Sequence, residues 1–190
     1  MTGLLTDKVA IVTGAGQGVG EGIARALADA GAAVVIAARR AENGEPAAAV
    51  LRERGHEASF VRCDVSVEAD VEAAIEHTID THGRLDIVVH NAVSPPGPPG
   101  PVQVVDPDVI TAQIATSTTA SYLFARAAHP HLVANRGTLI LLTSPAGMEG
   151  SGNLPVYATV KGAQRGLLKS LAREWGPDGI RVNAIAPVAW

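Results

Sequence analysis

Short apolar runs alternate with longer amphipathic segments along the whole chain. Runs rich in Val, Ile, Leu and Ala at residues 9–13, 33–38, 58–63, 85–91, 137–143 and 181–185 predict strands. Several of them, such as "VVIAA" and "LILL", contain no polar position. A strand with one face in water alternates in polarity, so an unbroken apolar run predicts a strand covered on both faces, as in a parallel sheet. The segments between them, at residues 19–30, 46–54, 67–82, 107–134 and 156–175, carry apolar residues at helical spacing. Strands and helices alternating in this way predict repeated βα units: a doubly wound α/β architecture with helices on both faces of a parallel sheet. Neither a linker nor an internal repeat interrupts the pattern, which predicts a single domain over residues 1–190. The stretch "SPPGPPGP", residues 94–101, can extend neither a helix nor a central strand, so it is predicted as a loop after the fourth strand.

Composition narrows the partners. The formal net charge is −4 and no Lys/Arg run occurs, which argues against nucleic acid or an anionic membrane surface as a partner. Asp7 and Lys8 fall where an export signal would need its apolar centre, and no apolar run approaches the length of a membrane span. The single cysteine, Cys63, cannot form an internal disulfide and is expected to be a small buried hydrophobe. These features together predict a soluble cytoplasmic protein.

The stretch "VTGAGQGVG", Val12 to Gly20, places four glycines where the first strand should turn into the first helix. Glycines allow the dihedrals of a tight turn and let backbone N–H groups approach a pyrophosphate, which the helix N-terminus also attracts. The spacing is Gly14-x-x-x-Gly18-x-Gly20 rather than G-x-G-x-x-G, and an ordinary strand-to-helix turn can also be glycine-rich. At the end of the second strand stand Arg39 and Arg40, with no carboxylate. A carboxylate there would accept hydrogen bonds from a ribose diol, whereas guanidinium groups suit a 2′-phosphate. That chemistry favours NADP(H) over NAD(H), with Arg39 the first choice; the alternative is that both arginines merely solvate the start of a helix. Tyr157 and Lys161 lie four apart and share one helix face. An ammonium one turn away favours the phenolate form of a tyrosine, which suits it to exchange a proton with a carbonyl or alcohol oxygen.

Five separated stretches now agree in order and spacing: Thr13-Gly14-Ala15-Gly16-Gln17-Gly18-Val19-Gly20, "HNA" at residues 90–92, Ser144, Tyr157-Ala158-Thr159-Val160-Lys161, and "RVNAIAP" at residues 181–187. In them the chain resembles the classical short-chain dehydrogenases/reductases over nearly its whole length. The resemblance implies a Rossmann-like fold and an NADP(H)-dependent oxidoreductase that interconverts a carbonyl and a secondary alcohol. It implies Tyr157 as general acid or base, with Lys161 holding the nicotinamide ribose and Ser144 orienting the substrate oxygen. It also implies that Thr13, Gly14, Gln17, Gly18, Val19 and Gly20 form the phosphate turn, that Asp64 and Val65 flank the adenine, and that Asn91 and Ala92 border the riboses. Pro187 and Val188 should stand near the nicotinamide. The family usually assembles as a homodimer or homotetramer through its two longest late helices, here residues 107–134 and 156–175.

Four departures qualify that picture. The family's relay asparagine falls here on Ser117, with Thr116 or Thr118 as rivals if the alignment slips by one. Val93 stands where a glycine is common, and Val188 where "PG" is usual. The sequence ends at Trp190, just after the sixth predicted strand, whereas the family continues through a substrate-covering segment, so the chain is expected to be incomplete. His90 is expected to pack against the sheet. A non-catalytic dinucleotide-binding sensor or assembly subunit therefore stays open as an alternative. A serine hydrolase does not, because Ser144 lies in "TSPAG" rather than G-x-S-x-G.

Overall fold

The structure, a computed structural model, describes residues 3–188; Trp190 lies outside the described residues. Six parallel strands, β1 (Val9–Thr13), β2 (Ala33–Ala38), β3 (Ala58–Arg62), β4 (Ile87–His90), β5 (Thr138–Leu142) and β6 (Arg181–Ile185), form one sheet in the order β3-β2-β1-β4-β5-β6. This is the doubly wound Rossmann-like order, and its direction reverses between β1 and β4. The helices are α1 (Gly18–Asp29), α2 (Ala41–Glu53), α3 (Glu68–His82), α4 (Pro107–Gln113), α5 (Ala120–Asn135), the short α6 (Ala146–Glu149) and α7 (Pro155–Trp175).

The strand side chains alternate between two cores, which is why the apolar runs had no polar gaps. Ala10 and Val12 of β1 and Val34 and Ile36 of β2 pack under α1 and α2 against Ala24, Ala28, Ala48 and Leu51. Their neighbours Ile11, Val35 and Ala37 face the opposite core, where Ile75, Phe124, Leu132, Leu167, Leu171 and Trp175 bring in α3, α5 and α7. Each large side chain buried in this way contributes about 1.5–3 kcal/mol. Leu167 and Leu171 thus belong to the core rather than to a free helix face.

Two helices differ from their predicted limits. The helix predicted from residue 46 starts five residues earlier, at Ala41, and Pro46 lies inside it. Pro46 faces solvent, so water can satisfy the carbonyl left without an N–H partner, while Ala47, Ala48 and Leu51 gain the buried side. The helix predicted over residues 107–134 is interrupted by a π turn at Ile114–Thr119. That turn carries Ser117, and such turns are rare and frequent at functional sites.

Candidate active site

β1 gives way at Gly14 to a turn in which Gly14 and Gly18 have φ of +66° and +61°, the left-handed region open to glycine. At Gly20 an added Cβ would overlap the Gly14 carbonyl oxygen and the Asn91 carboxamide. Asn91 donates from Nδ2 to the carbonyls of Thr13 (3.0 Å) and Gly14 (3.3 Å), fastening the turn to the end of β4. The Thr13 side chain is buried, and its Oγ1 accepts from the N–H groups of Asn91 and Ala92, both at 3.0 Å. With its lone pairs engaged, the hydroxyl donates to His90 Nδ1 at 3.1 Å, which leaves the imidazole proton on Nε2. Burial, reinforced by the Lys161 charge, pushes the His90 pKa down to about 4, and the neutral ring stacks on Phe124 with centroids 5.6 Å apart. His90 therefore packs inside the sheet, as expected, and with Thr13 it ties the ends of β1 and β4 together.

α1 opens directly on this turn. Its N-cap, Gln17, makes no side-chain capping bond; instead its Oε1 accepts from Asn43 Nδ2 at 3.3 Å. The first-turn N–H groups of Gly18, Val19 and Gly20 are thus left without a side-chain cap at the positive end of the helix, an arrangement that suits a phosphate.

A crevice of about 550 Å³ runs along the carboxyl ends of the strands, past this turn. Ligands of doubly wound sheets bind in this position. At its β2 end the wall is formed by the exposed Arg39 and Arg40 and by Asp64 and Val65. Asp64 Oδ1 accepts from the Ser66 backbone N–H (3.0 Å) and hydroxyl (2.6 Å). Partial burial raises the Asp64 pKa, but the Ser66 donors and the charges of Arg39 and Arg62 outweigh it and hold the carboxyl below its ordinary value. Cys63 also lines the wall; burial first, then the neighbouring Asp70 and Asp64, push its thiol up to about 12, so it stays protonated and unreactive.

At the other end α7 presents Tyr157 and Lys161 to the same crevice, with Lys161 Nζ 5.7 Å from the Tyr157 ring centroid. Lys161 is only 3% exposed, and burial pushes its amine down to about 8. Nζ donates to the Leu142 carbonyl at 2.5 Å and to Gln164 Oε1 at 3.1 Å. An ammonium has three protons, so one remains for the crevice. Asn91, Ala92 and Pro187 complete the wall on the β4 and β6 sides.

Three of the remaining sequence-derived residues stand off that wall. Ser144, partly exposed, is next to the crevice-lining Thr143 but is not itself part of the wall, and its Oγ accepts from Ala146 N–H at 3.2 Å, at the start of α6. Ser117 is fully buried in the π turn, and its Oγ has no partner among the described residues. Val188 is 58% exposed, beside Pro187. Of the two rivals to Ser117, Thr116 reaches the crevice, where its Oγ1 accepts from the Ser94 N–H at 3.0 Å. Val93 lines the same wall. Beyond Tyr157 a smaller cleft of about 110 Å³, lined by Pro96, Pro98, Val105, Val109, Leu154 and Val156, shares the tyrosine as a common wall.

Sequence reasoning missed two residues here. Asn43 braces the glycine turn, and Gln164 holds Lys161. A lone Asn or Gln on a helix carries no signal that would have separated it from a solvated surface position. Among the described residues no group of three or more His, Cys, Asp or Glu could hold a metal ion. No helix among them is long and apolar enough to cross a membrane.

Comparison with known proteins gives the same frame. The family model described as short chain dehydrogenase matches residues 8–190. The chain is 39% identical over 180 residues to an L-fucose dehydrogenase of Oryctolagus cuniculus, covering 95% of this chain and 62% of that protein. It is 36% identical to a cis-4-hydroxycyclohexanecarboxylate dehydrogenase of Sinomonas cyclohexanicum, covering 95% of this chain and 72% of that protein. The crystal structure of a 3-ketoacyl-(acyl-carrier-protein) reductase from Brucella melitensis, complexed with NADH, superposes with a TM-score of 0.92 at 35% identity, over 97% of this chain and 77% of that one. The chain spans less than two thirds of the length of the L-fucose dehydrogenases it matches, 62% in Oryctolagus cuniculus and 65% in Bos taurus.

Proposed function

Because the chain belongs to the short chain dehydrogenase family, we propose that it is an NADP(H)-dependent oxidoreductase that interconverts a carbonyl and a secondary alcohol. The observation that carries this reading is that Tyr157 and Lys161 share one crevice with the glycine turn and the uncapped start of α1.

The residues fit a dinucleotide. The pyrophosphate would rest on the free N–H groups of Gly18, Val19 and Gly20, at the positive end of α1. Arg39 and Arg40 would pair a 2′-phosphate, while Asp64 and Val65 would flank the adenine. The third proton of Lys161 would go to the nicotinamide ribose, with Asn91, Ala92, Pro187 and Val188 near the riboses and nicotinamide. When bound, the nicotinamide supplies or takes up the hydride. In the reducing direction the Tyr157 hydroxyl gives its proton to the substrate oxygen as the neighbouring carbon gains hydride; in the oxidising direction the phenolate takes that proton back. Ser144 would hold the substrate oxygen on turning from its α6 contact, and Ser117 would stand in the proton path behind Lys161. The apolar cleft on the far side of Tyr157 suits a substrate with a small apolar group beside its carbonyl.

The test is to follow NADPH and NADH absorbance in the presence of a panel of ketones and aldehydes, for the wild type and Tyr157→Phe. We expect turnover by the wild type, faster with NADPH, and turnover lowered by roughly 10²–10⁴-fold in the variant. Dinucleotide binding with no turnover of any carbonyl would favour the second reading, a sensor or assembly subunit. That reading draws on Ser117 replacing the family's asparagine.

The same proposal makes the protein a cytoplasmic homodimer or homotetramer. With Leu167 and Leu171 committed to the core, the outward apolar residues Ile110, Ile114 and Tyr122 of the α4–α5 segment are the better candidates for contact. Light scattering that returned a monomer would overturn the assembly, and cell fractionation would test the compartment.

A further inference from the structure

Behind Lys161 lies a closed set of polar groups that the proposed reaction does not use. Gln164, one turn further along α7, is only 1% exposed. Its Oε1 accepts from Lys161 Nζ at 3.1 Å, and its Nε2 donates to Ser121 Oγ at 3.0 Å and to the Ser117 carbonyl at 3.3 Å. Ser121 Oγ in turn donates to the same Ser117 carbonyl at 2.6 Å. The orientation of the amide is forced. An ammonium can only donate, so the oxygen must face Lys161 and the NH₂ must face the serine oxygens.

A buried glutamine is costly unless each of its polar atoms is engaged. Here it is engaged on both sides, and one of its partners is a carbonyl presented by the π turn. The hydroxyl of Ser117 takes no part in this, since its Oγ has no partner among the described residues.

We propose that Gln164 is the positioning residue for Lys161: anchored by Ser121 and the Ser117 carbonyl, its carboxamide fixes Nζ against β5 and leaves one N–H aimed at the crevice. The carboxamide that the family is expected to contribute from the helix before the fifth strand is supplied here from α7. This inference rests on the proposed dinucleotide reaction for its purpose, but not for its test.

The chain has three lysines, Lys8, Lys161 and Lys169, so protein labelled with ¹³C at the lysine Cε gives three resonances to titrate by NMR. Lys161 is the buried one, whereas Lys169 is exposed and the partly exposed Lys8 pairs with Asp86 at 3.0 Å. The titratable groups facing Lys161 are His90 from β4 and Tyr157 from its own helix; β5 offers the Leu142 carbonyl, and the π turn and α5 offer uncharged serines. His90 is neutral above about pH 4. Repeating the titration in Tyr157→Phe takes the phenol out of consideration.

Gln164→Met keeps the size of the side chain and removes the acceptor, and is expected to lower the Lys161 midpoint by about one to two pH units, the worth of one hydrogen bond to a charged group. Gln164→Glu is expected to raise the midpoint above that of the wild type. In the wild-type protein and both variants, the pH limb of turnover should move with the lysine midpoint. An unchanged Lys161 midpoint in Gln164→Glu overturns the proposal even if Gln164→Met fails to fold. If the protein turned over no carbonyl, the oxidoreductase reading would fall, and the lysine titration would still decide the role of Gln164.

Discussion

At the β2 end of the crevice the charges stand in solvent; at the α7 end they are enclosed. Arg39 and Arg40 stand exposed on the wall, and Arg39 is coupled to Asp64 through its field. Lys161, by contrast, is buried and has named acceptors for two of its three protons. Exposed guanidinium groups are screened by salt and contribute selectivity without rigid geometry. A buried ammonium with assigned partners can hold a position to a fraction of an ångström but pays for it in desolvation. The crevice thus joins a soft, electrostatic end suited to telling one dinucleotide from another with a stiff end suited to placing a proton.

The largest effect that would sharpen this contrast is at the stiff end. Tyr157→Phe is expected to lower turnover by roughly 10²–10⁴-fold while leaving dinucleotide affinity nearly unchanged, as read by fluorescence titration. A parallel loss of affinity would show that the tyrosine serves binding instead.

Next comes the soft end. Arg39→Asp should weaken NADPH binding by roughly tenfold to a hundredfold, the loss of one charge-assisted contact, and should change NADH binding much less. The advantage of NADPH over NADH in the wild type should also shrink as salt rises. Equal effects on both cofactors would remove the 2′-phosphate assignment.

A smaller effect concerns pH. With the Lys161 amine pushed down to about 8, affinity for the dinucleotide should fall as pH rises through 8, by up to about tenfold per unit. Stability should run the other way. Between about 8 and its ordinary value of 10.5 the unfolded chain binds the lysine proton and the folded chain does not, so this group's contribution to stability rises with pH across that window. Isothermal titration and chemical unfolding at matched pH would separate the two trends; affinity that held steady to pH 9 would contradict the lysine's assigned role.

The smallest effect is structural. His90 stays neutral in the fold down to about pH 4, whereas in the unfolded chain it takes a proton near 6.5. Stability should therefore fall as pH drops from 6.5 to 4, by at most about 1.4 kcal/mol per pH unit from this group. Denaturant midpoints should lose that part of their slope in His90→Gln.

How much of this was readable in the sequence depended on what each residue does. β1 and β2 match their predicted limits because residues buried on both faces leave a nearly unbroken apolar run, whereas β6, Arg-Val-Asn-Ala-Ile, matches its limits as an alternating strand with exposed Arg181 and Asn183. The glycine turn was legible because its φ values and the close approach at Gly20 admit little else. Apolar spacing marks α2 only from residue 46 because the added first turn, Ala41–Glu45, buries no large apolar side chain; its buried residue is Gly44, packed closely under the Phe60 ring. Hydrophobic periodicity has no term for the extra residue of a π turn, so the break at Ile114–Thr119 was invisible. Gln164 was missed for a related reason. Its importance comes from Lys161 and Ser121, and Ser121 lies 43 positions away.

The most direct test of the central claim is a crystal structure of the protein grown with NADP⁺. The account predicts a pyrophosphate on the N–H groups of Gly18–Gly20, a 2′-phosphate at Arg39, and a nicotinamide ribose within hydrogen-bonding reach of Lys161 Nζ with Tyr157 Oη beside the ring. A dinucleotide bound with its nicotinamide at the Arg39 end, or outside the crevice altogether, would contradict it.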